Sequence, residues 1–347
     1  MAGPEVLVAH ADLARFVAQV LVAHGMAAPD AAIVADALVW ANLRGKDGHG
    51  VVRLPRYVEL IQVGDLDPGA RPEIALETAA MFVLDAKRAA GAVAMTRAVD
   101  DACRRAKAGG ACFGLVRETT HVGAIGRFAY QAAETGCAVL MAATGPPFMA
   151  YHGTTVPSLS TSPLAIGVPG DAEPVVLDLA TSVASIGRIR QMLASGRSLP
   201  DGWALVDEGT DAGGTGSRIV PLPMAGAKGA GLSLMFELLT SVLGGAPILS
   251  THLGPEHRTR HLQNAFVLAL DVAAFRTASG FRHDVGELTA IIKALPVREG
   301  FDEVRLPGEG SAAVERLRRQ KGIPLLPSTW EALRSLGAAH SVDLPRI

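Results

Sequence analysis

The sequence predicts an α/β protein whose central sheet region is bracketed by a helical layer drawn from both chain termini. Three observations point there. The N-terminal segment, to residue 63, carries apolar positions at helical spacing. From Met81 onward, short apolar strands alternate with helical patterns. From Ser311 the texture returns to charged helices, which can pack back on the N-terminal ones. With 347 residues the chain is also too long for one compact core. The division read from these shifts is 1–75, completed by 311–347, around a central region 76–310.

Residues 8–26 and 29–44 read as amphipathic helices, with Asp30 capping the second and Gly45 stopping it. Residues 53–63 read as a third, with Pro55 tolerable in its first turn. The run Gly64-Asp-Leu-Asp-Pro-Gly69 breaks the pattern. In the central region, 81–85, 111–117, 138–143, 163–168, 175–179 and 264–272 read as strands. Helices are expected at 93–108, 123–135, 183–194 and 232–243, the last with apolar side chains at 232, 235, 239, 242 and 243. Residues 196–216 are loop-rich, and repeats and low-complexity runs are absent from the sequence.

Composition excludes several function classes. Hydrophobic residues at 49% and charged residues at 19% indicate a globular chain rather than a disordered one. A net charge of −2 with no basic run gives no electrostatic footprint for nucleic acid or a membrane surface. Aromatics at 5% supply no stacking platform for single strands. Cys103, Cys112 and Cys137 lack CxxC spacing, and the N-terminus lacks a secretory pattern, so a cytoplasmic protein with buried thiols is expected. No apolar stretch is long and uncharged enough to span a bilayer.

The chemistry-bearing residues are few. His49, Arg53 and Tyr57 recur at i, i+4 and i+8, which on a helix makes one polar stripe. That stripe reads either as a solvated face beside Arg56 and Glu59 or as a pocket wall. His121, before the predicted helix 123–135, reads either as a cap or core residue or as a ligand-site residue at a strand end. Together they offer a guanidinium for a carboxylate, an imidazole to move a proton and a phenol to orient both. A helix N-terminus at His121 would disfavour the imidazolium a reductase needs, unless a bound anion offsets it.

Asp178-Leu-Ala-Thr-Ser182 reads as a strand end whose Thr181 or Ser182 caps the next helix, or as a hydrogen-bonding edge for a cofactor ribose or amide. A dinucleotide GxGxxG motif is missing from the sequence, and the loop Gly226-Ala-Lys-Gly-Ala-Gly231 fails the P-loop pattern. It remains either a helix entry or an anion-receiving loop with Lys228 adding charge. HExxH, EF-hand and Cys–His patterns are missing from the sequence, and the i, i+4 pair His257 and His261 lacks a third partner nearby, so no metal is expected.

The ordered segments Arg44-Gly-Lys-Asp-Gly-His-Gly-Val-Val-Arg53 with Tyr57, His121-Val-Gly123, Ser162-Pro-Leu-Ala-Ile166, Asp178-Leu-Ala-Thr-Ser182, Lys228-Gly-Ala-Gly-Leu232 and Pro307-Gly-Glu309 carry a resemblance. Over nearly its whole length the chain resembles the malate/L-lactate dehydrogenase family that is unrelated to the Rossmann lactate dehydrogenases. That family includes ureidoglycolate and sulfolactate dehydrogenases, diketogulonate reductase and the piperideine-2-carboxylate reductases.

The resemblance implies a homodimer with a non-Rossmann fold for NAD or NADP in its central domain, 76–310. It makes 1–75 with 311–347 the substrate-side domain. It implies hydride transfer between nicotinamide and a small 2-oxo or 2-hydroxy carboxylic acid. His121 would exchange the proton at the substrate oxygen, with His49, Arg53 and Tyr57 lining the substrate pocket. Ser162, Asp178, Leu179, Ala180, Lys228, Gly229, Pro307, Gly308 and Glu309 would lie along the cofactor.

Three positions depart from the family pattern. Gly48 stands where a serine usually precedes the pocket histidine, and Ser162 where an asparagine is usual. Arg188 replaces an acidic residue of the imine-reducing branch. Gly48 and Arg188 favour a ketone or alcohol substrate over a cyclic imine. Gly48 and Ser162 also leave room for a non-catalytic relative, against which the retained His49, Arg53, Tyr57, His121 and Lys228 weigh.

Overall fold

Strand β1 (Val6–Val8) opens the chain, followed by α1 (His10–Ala23) and α2 (Ala28–Leu43). In α1 the residues Leu13, Phe16, Val17, Val20 and Leu21 follow the i, i+3, i+4, i+7, i+8 rule, and all five are buried. Burying Phe16 alone contributes roughly 1.5–3 kcal/mol. Helix α2 starts at Ala28 with a proline in its first turn, not with an Asp30 cap; Asp30 instead pairs with Arg71 at 2.9 Å. Two tight turns, Asp47–His49 and Val51–Arg53, lead into α3 (Leu54–Gln62), so the His49/Arg53/Tyr57 stripe is not one continuous helix. The buried Asn42 pegs those turns: its Oδ1 accepts Val51 N–H at 2.8 Å and its Nδ2 donates to Asp47 at 2.6 Å.

The central region continues with β2 (Glu73–Glu77), β3 (Met81–Asp85), α4 (Gly91–Gly109), β4 (Ala111–Thr119), α5 (Gly126–Glu134), β5 (Cys137–Thr144), β6 (Met149–Ala150), β7 (Pro157–Leu159), β8 (Leu164–Val168), β9 (Val175–Leu179) and α6 (Ile186–Ala194). Next come β10 (Ala204–Asp207), β11 (Arg218–Pro221), α7 (Ala227–Glu237), a wide helical turn at Leu238–Val242, α8 (Leu249–Leu253), β12 (Gln263–Asp271), α9 (Val272–Phe275) and α10 (Ala278–Lys293). The chain ends in α11 (Glu309–Lys321), β13 (Ile323–Leu325) and α12 (Pro327–His340). This computed structural model describes residues 5–194, 196–207, 218–254 and 261–346. His257 of the i, i+4 histidine pair lies outside the described residues, as does the part of the predicted loop 196–216 beyond Asp207.

Seven strands form a mixed sheet in the order β2-β3-β4-β12-β5-β8-β9. Only β3 and β4 run parallel, joined across α4; the other pairs are antiparallel. A doubly wound parallel sheet is thus ruled out, consistent with the missing GxGxxG. Helices α4 and α5 cover one face. On the other face Phe236 of α7 packs with Val83, Leu115, Ala142 and Phe266. The chain ends close together: β1 pairs antiparallel with β13, α11 packs on α2, and α12 packs on α1 and α3.

Three elements differ from expectation for a reason visible in burial. Where a helix at 232–243 is predicted, α7 starts earlier and buries Gly229, Ala230, Ser233, Phe236 and Glu237, while Met235, Leu239, Val242 and Leu243 are exposed. Gly229 permits this close seat, because a Cβ there would stand 2.4 Å from the Met224 carbonyl. The strand β2 and the helix α10 are absent from the sequence reading, and both are largely solvent-facing.

Candidate active site

The carboxyl end of β4 delivers His121 to a half-buried position beside the turns that precede α3. Several contacts fix this strand end. Thr119 Oγ1 donates to Ala89 O at 3.1 Å, and Val122 N–H donates to Gln263 Oε1 at 2.9 Å. Gly91 opens α4 against the His121 carbonyl, where a Cβ would stand 2.3 Å from that oxygen. Helix α5 starts only at Gly126, so His121 is not at a helix N-terminus and the expected dipole effect does not apply.

Tyr57 comes from α3, only 4% exposed, and its Oη lies 2.8 Å from His121 Nδ1. The same hydroxyl lies 3.3 Å from the His121 carbonyl oxygen. The network is satisfied when Nδ1–H donates to Oη and Oη–H donates to that carbonyl. This leaves His121 Nε2 as the nitrogen free to exchange a proton. The His49 ring stacks near His121, with centroids 5.5 Å apart and planes at 11°. Arg53 donates from Nε to Gly48 O at 2.7 Å, and its outer guanidinium edge has no partner among the described residues. All four residues predicted for the substrate pocket are therefore brought together.

The electrostatics favour neutral imidazoles. Burial pushes His49 down to about 4, aided by the Arg53 charge and opposed by Asp178. Burial also holds His121 well below the usual histidine range, with His49, Arg53 and His261 adding to it. Burial raises the Tyr57 phenol above its ordinary value, so it stays protonated and can donate.

One residue of this cluster was missed. His261 reaches within 6.5 Å of the His121 ring and is pushed down to about 4, first by burial and then by the Arg56 charge. The sequence signal was a search for its metal partner, whereas its neighbour is His121, distant in the chain.

The predicted cofactor residues divide into groups. Asp178 ends β9 and pairs with Lys46 at 2.7 Å while accepting Gly126 N–H at 3.2 Å. Leu179 and Ala180 are half-buried beyond it. The following segment lies against the entry to α7: Met224 N–H donates to Thr181 O at 2.8 Å, and Ser182 bridges Pro223. Neither Thr181 nor Ser182 caps the next helix; Ser185 Oγ accepts Arg188 N–H at 3.3 Å. Ser182 Oγ is instead buried without a hydrogen-bond partner among the described residues.

Lys228, in the first turn of α7, is exposed and has no ion-pair partner among the described residues. Gly229 follows it, buried. Ser162 is fully buried with its hydroxyl 2.9 Å from Ser233 Oγ, so it supports α7 rather than facing open space. Pro307, Gly308 and Glu309 approach the other end of β9: a Cβ on Gly308 would stand 3.1 Å from Val176 O, and its φ of +88° suits glycine. Glu309 is engaged by Lys293 at 2.7 Å and by Leu306 N–H at 3.1 Å. An exposed cation with no ion-pair partner among the described residues, in the first turn of a helix, suits the phosphates of a dinucleotide.

Sequence and structure comparisons find relatives over nearly the whole chain. A malate/L-lactate dehydrogenase family profile matches residues 8–334. A malate dehydrogenase of Pyrococcus abyssi is 30% identical over 94% of this chain and 92% of its own length. An NAD(+) ureidoglycolate dehydrogenase of Escherichia coli O157:H7 is 29% identical over 90% of each. A Δ1-pyrroline-2-carboxylate reductase of Ancylobacter novellus is 30% identical over 92% of this chain and 94% of its own. The crystal structure of Entamoeba histolytica malate dehydrogenase superposes with a TM-score of 0.91 at 29% identity, covering 99% of this chain and all of that one. With the profile spanning almost every residue, and a mixed sheet in place of the Rossmann one, the chain belongs to the malate/L-lactate dehydrogenase family.

Proposed function

We propose that this protein is an NAD(P)-dependent oxidoreductase interconverting a small 2-hydroxy carboxylic acid and its 2-oxo acid. The observation that carries the reading is the His121–Tyr57 pair beside Arg53, with Nδ1 held at 2.8 Å and Nε2 left free. A bound nicotinamide would supply the hydride acceptor, or in reverse the hydride donor, for the substrate C2. Arg53 holds the substrate carboxylate through its planar outer edge, which suits two parallel hydrogen bonds. In oxidation the neutral His121 Nε2 takes the hydroxyl proton; in reduction the imidazolium gives it back. Proton transfer of this kind contributes roughly 10²–10⁴-fold. Tyr57 fixes the tautomer and His49 closes one side of the ring.

Lys228 would meet the cofactor directly, and Asp178, Leu179, Ala180, Gly229 and Pro307–Glu309 would shape its bed, with Ser162 and Ser182 behind. The helical layer of 1–75 and 311–347 would form the substrate side and 76–310 the cofactor side. We assign the protein to the cytoplasm, as a homodimer whose contact includes the exposed Met235, Leu238, Leu239, Val242 and Leu243.

The pyrroline-carboxylate reductase likeness favours a second reading, reduction of a cyclic C=N bond. Two features oppose it. Gly48 has no hydroxyl, although a side chain there would meet nothing within 4 Å. Arg188 lies over the Trp203 ring at 5.0 Å instead of offering an acid. Following cofactor absorbance with NADH or NADPH across a panel of 2-oxo acids and one cyclic imine decides between them. Oxidation of the cofactor with a 2-oxo acid supports the first reading, activity confined to the imine supports the second, and no turnover with tight cofactor binding overturns both.

A further inference from the structure

We propose that Asn264 is a positioning residue for proton transfer: it locks a left-handed bulge at Glu118 that aims His121, and it anchors that bulge to the buried end of α7. The proposal rests on the reading of His121 as the group that exchanges the substrate proton.

The bulge is set by the register of β12 against β4. Gln263 pairs with Thr119, and Ala265 with Val116. Between those pairings β4 has two residues, Arg117 and Glu118, where β12 has only Asn264. An extra residue of this kind bends a strand and re-aims the side chains that follow, here His121. Glu118 takes a φ of +56°, a conformation that non-glycine residues avoid. Lys87 and Arg88 share it, at +50° and +65°, and Arg88 N–H donates to Glu118 O at 2.7 Å. Three of the five positive-φ non-glycine residues among the described residues therefore meet beside His121. Such conformations persist only where the surroundings hold them.

Asn264 supplies the hold. It is buried, and its Oδ1 accepts Glu118 N–H at 2.9 Å. Its Nδ2 donates to Ala246 O at 2.7 Å and to Ser241 Oγ at 3.0 Å. A backbone N–H only donates and a carbonyl only accepts, so these partners fix the orientation of the amide. Ser241 Oγ in turn donates to Glu237 Oε2 at 2.9 Å, and Glu237 Oε1 accepts Leu249 N–H at 3.1 Å. Glu237 is the last residue of α7, the helix that carries Lys228 in its first turn. Gln263 accepts Val122 N–H, so adjacent residues of β12 grip the chain on both sides of His121. Without Asn264 Oδ1, the Glu118 N–H loses its partner and a disfavoured φ loses its support.

The test measures kcat and KM for cofactor-dependent reduction of the 2-oxo acid, from the panel above, that wild type reduces, with thermal melting as the check of fold. Asn264→Ala is expected to lower kcat about 10- to 100-fold while the KM values for acid and cofactor stay within about twofold. Adding Glu118→Gly, which takes the left-handed φ unaided, is expected to recover kcat about fivefold or more. Glu118→Val, which resists that φ, is expected to fall at least about fivefold below Glu118→Gly, and this pair gives the same decision where Asn264→Ala does not fold. A kcat within about twofold of wild type in folded Asn264→Ala, no recovery in the double variant, or equal kcat for Glu118→Val and Glu118→Gly overturns the proposal. The Cε1–H resonance of His121 in histidine-labelled protein, identified by its loss in His121→Gln, separates this from the catalytic reading. A resonance displaced in Asn264→Ala and restored by Glu118→Gly supports the positioning role even if no 2-oxo acid is turned over. An undisplaced resonance overturns it even if 2-oxo acids are reduced.

Discussion

Replacing Tyr57 by phenylalanine removes one oxygen and keeps the ring that fills the pocket wall. That oxygen lies 2.8 Å from His121 Nδ1 and 3.3 Å from the His121 carbonyl. A neutral hydrogen bond is worth about 1 kcal/mol net, and leaving a buried donor unsatisfied costs about 1–3 kcal/mol. At roughly 1.4 kcal/mol per decade, kcat should fall about 5- to 150-fold, in both directions of the reaction. The loss belongs in kcat, because the phenol orients the proton-transfer group and leaves Arg53 on the carboxylate. Oη accepts more strongly from the imidazolium than from the neutral ring, so its removal should move the acid limb of the oxidation profile to lower pH. Steady-state kinetics in both directions, with thermal melting to confirm the fold, make the measurement. A kcat within twofold of wild type in a folded variant, or a loss confined to the cofactor KM, would refute the reasoning.

Arg53→Lys loses the planar fork and should raise the substrate KM about tenfold or more with a smaller change in kcat; an unchanged KM removes Arg53 from the carboxylate site. Arg53→Gln removes a charge that disfavours the His121 imidazolium, so the acid limb of kcat/KM for oxidation should move to higher pH. His49 and His261 are both pushed from 6.5 to about 4 in the folded chain, so the unfolded chain binds these protons more tightly. Stability should therefore be full above pH 6.5 and fall between 6.5 and about 4, by up to roughly 3 kcal/mol per histidine. Melting temperature against pH reads this, and His49→Gln should flatten the slope. Leu239→Asp, on the exposed apolar face of the Leu238–Val242 turn, should shift a dimer to monomer in light scattering; an unchanged mass argues against that interface.

Local chemistry explains which parts were legible in the sequence. Helix α1 announced itself because five apolar residues at helical spacing all face one core. Strand β3 matches its sequence bounds because its buried apolar run ends at Asp85, and β9 matches its bounds as well. Helix α10 carried no such signal, since none of its residues is buried in this chain. The helix at 232–243 was legible as a helix but not as to its face. Its apolar stripe points outward, and small residues, Gly229, Ala230 and Ser233, form the buried seat. In the site, His49, Arg53 and Tyr57 were readable through spacing, although two tight turns pegged by Asn42 set their geometry. His261 was not readable, because its approach to His121 depends on β12 pairing with β4, a contact between segments far apart in sequence.

The depressed His121 gives the site a coupling between recognition and chemistry. In the free protein burial, His49, Arg53 and His261 all oppose its protonation, so at neutral pH the ring is a base, ready for the hydroxy acid. Reduction needs the opposite state. A carboxylate bound at Arg53, as proposed, would cancel one of the charges opposing the imidazolium. The acid form is thus favoured only once the anionic substrate is in place. A carbonyl compound without a carboxylate would be disadvantaged twice, once in binding and once in protonation. Tyr57 serves both states, because its oxygen accepts Nδ1–H whether or not Nε2 carries a proton, while its own hydroxyl rests on the His121 carbonyl. The arrangement holds the ring still while the substrate decides its charge.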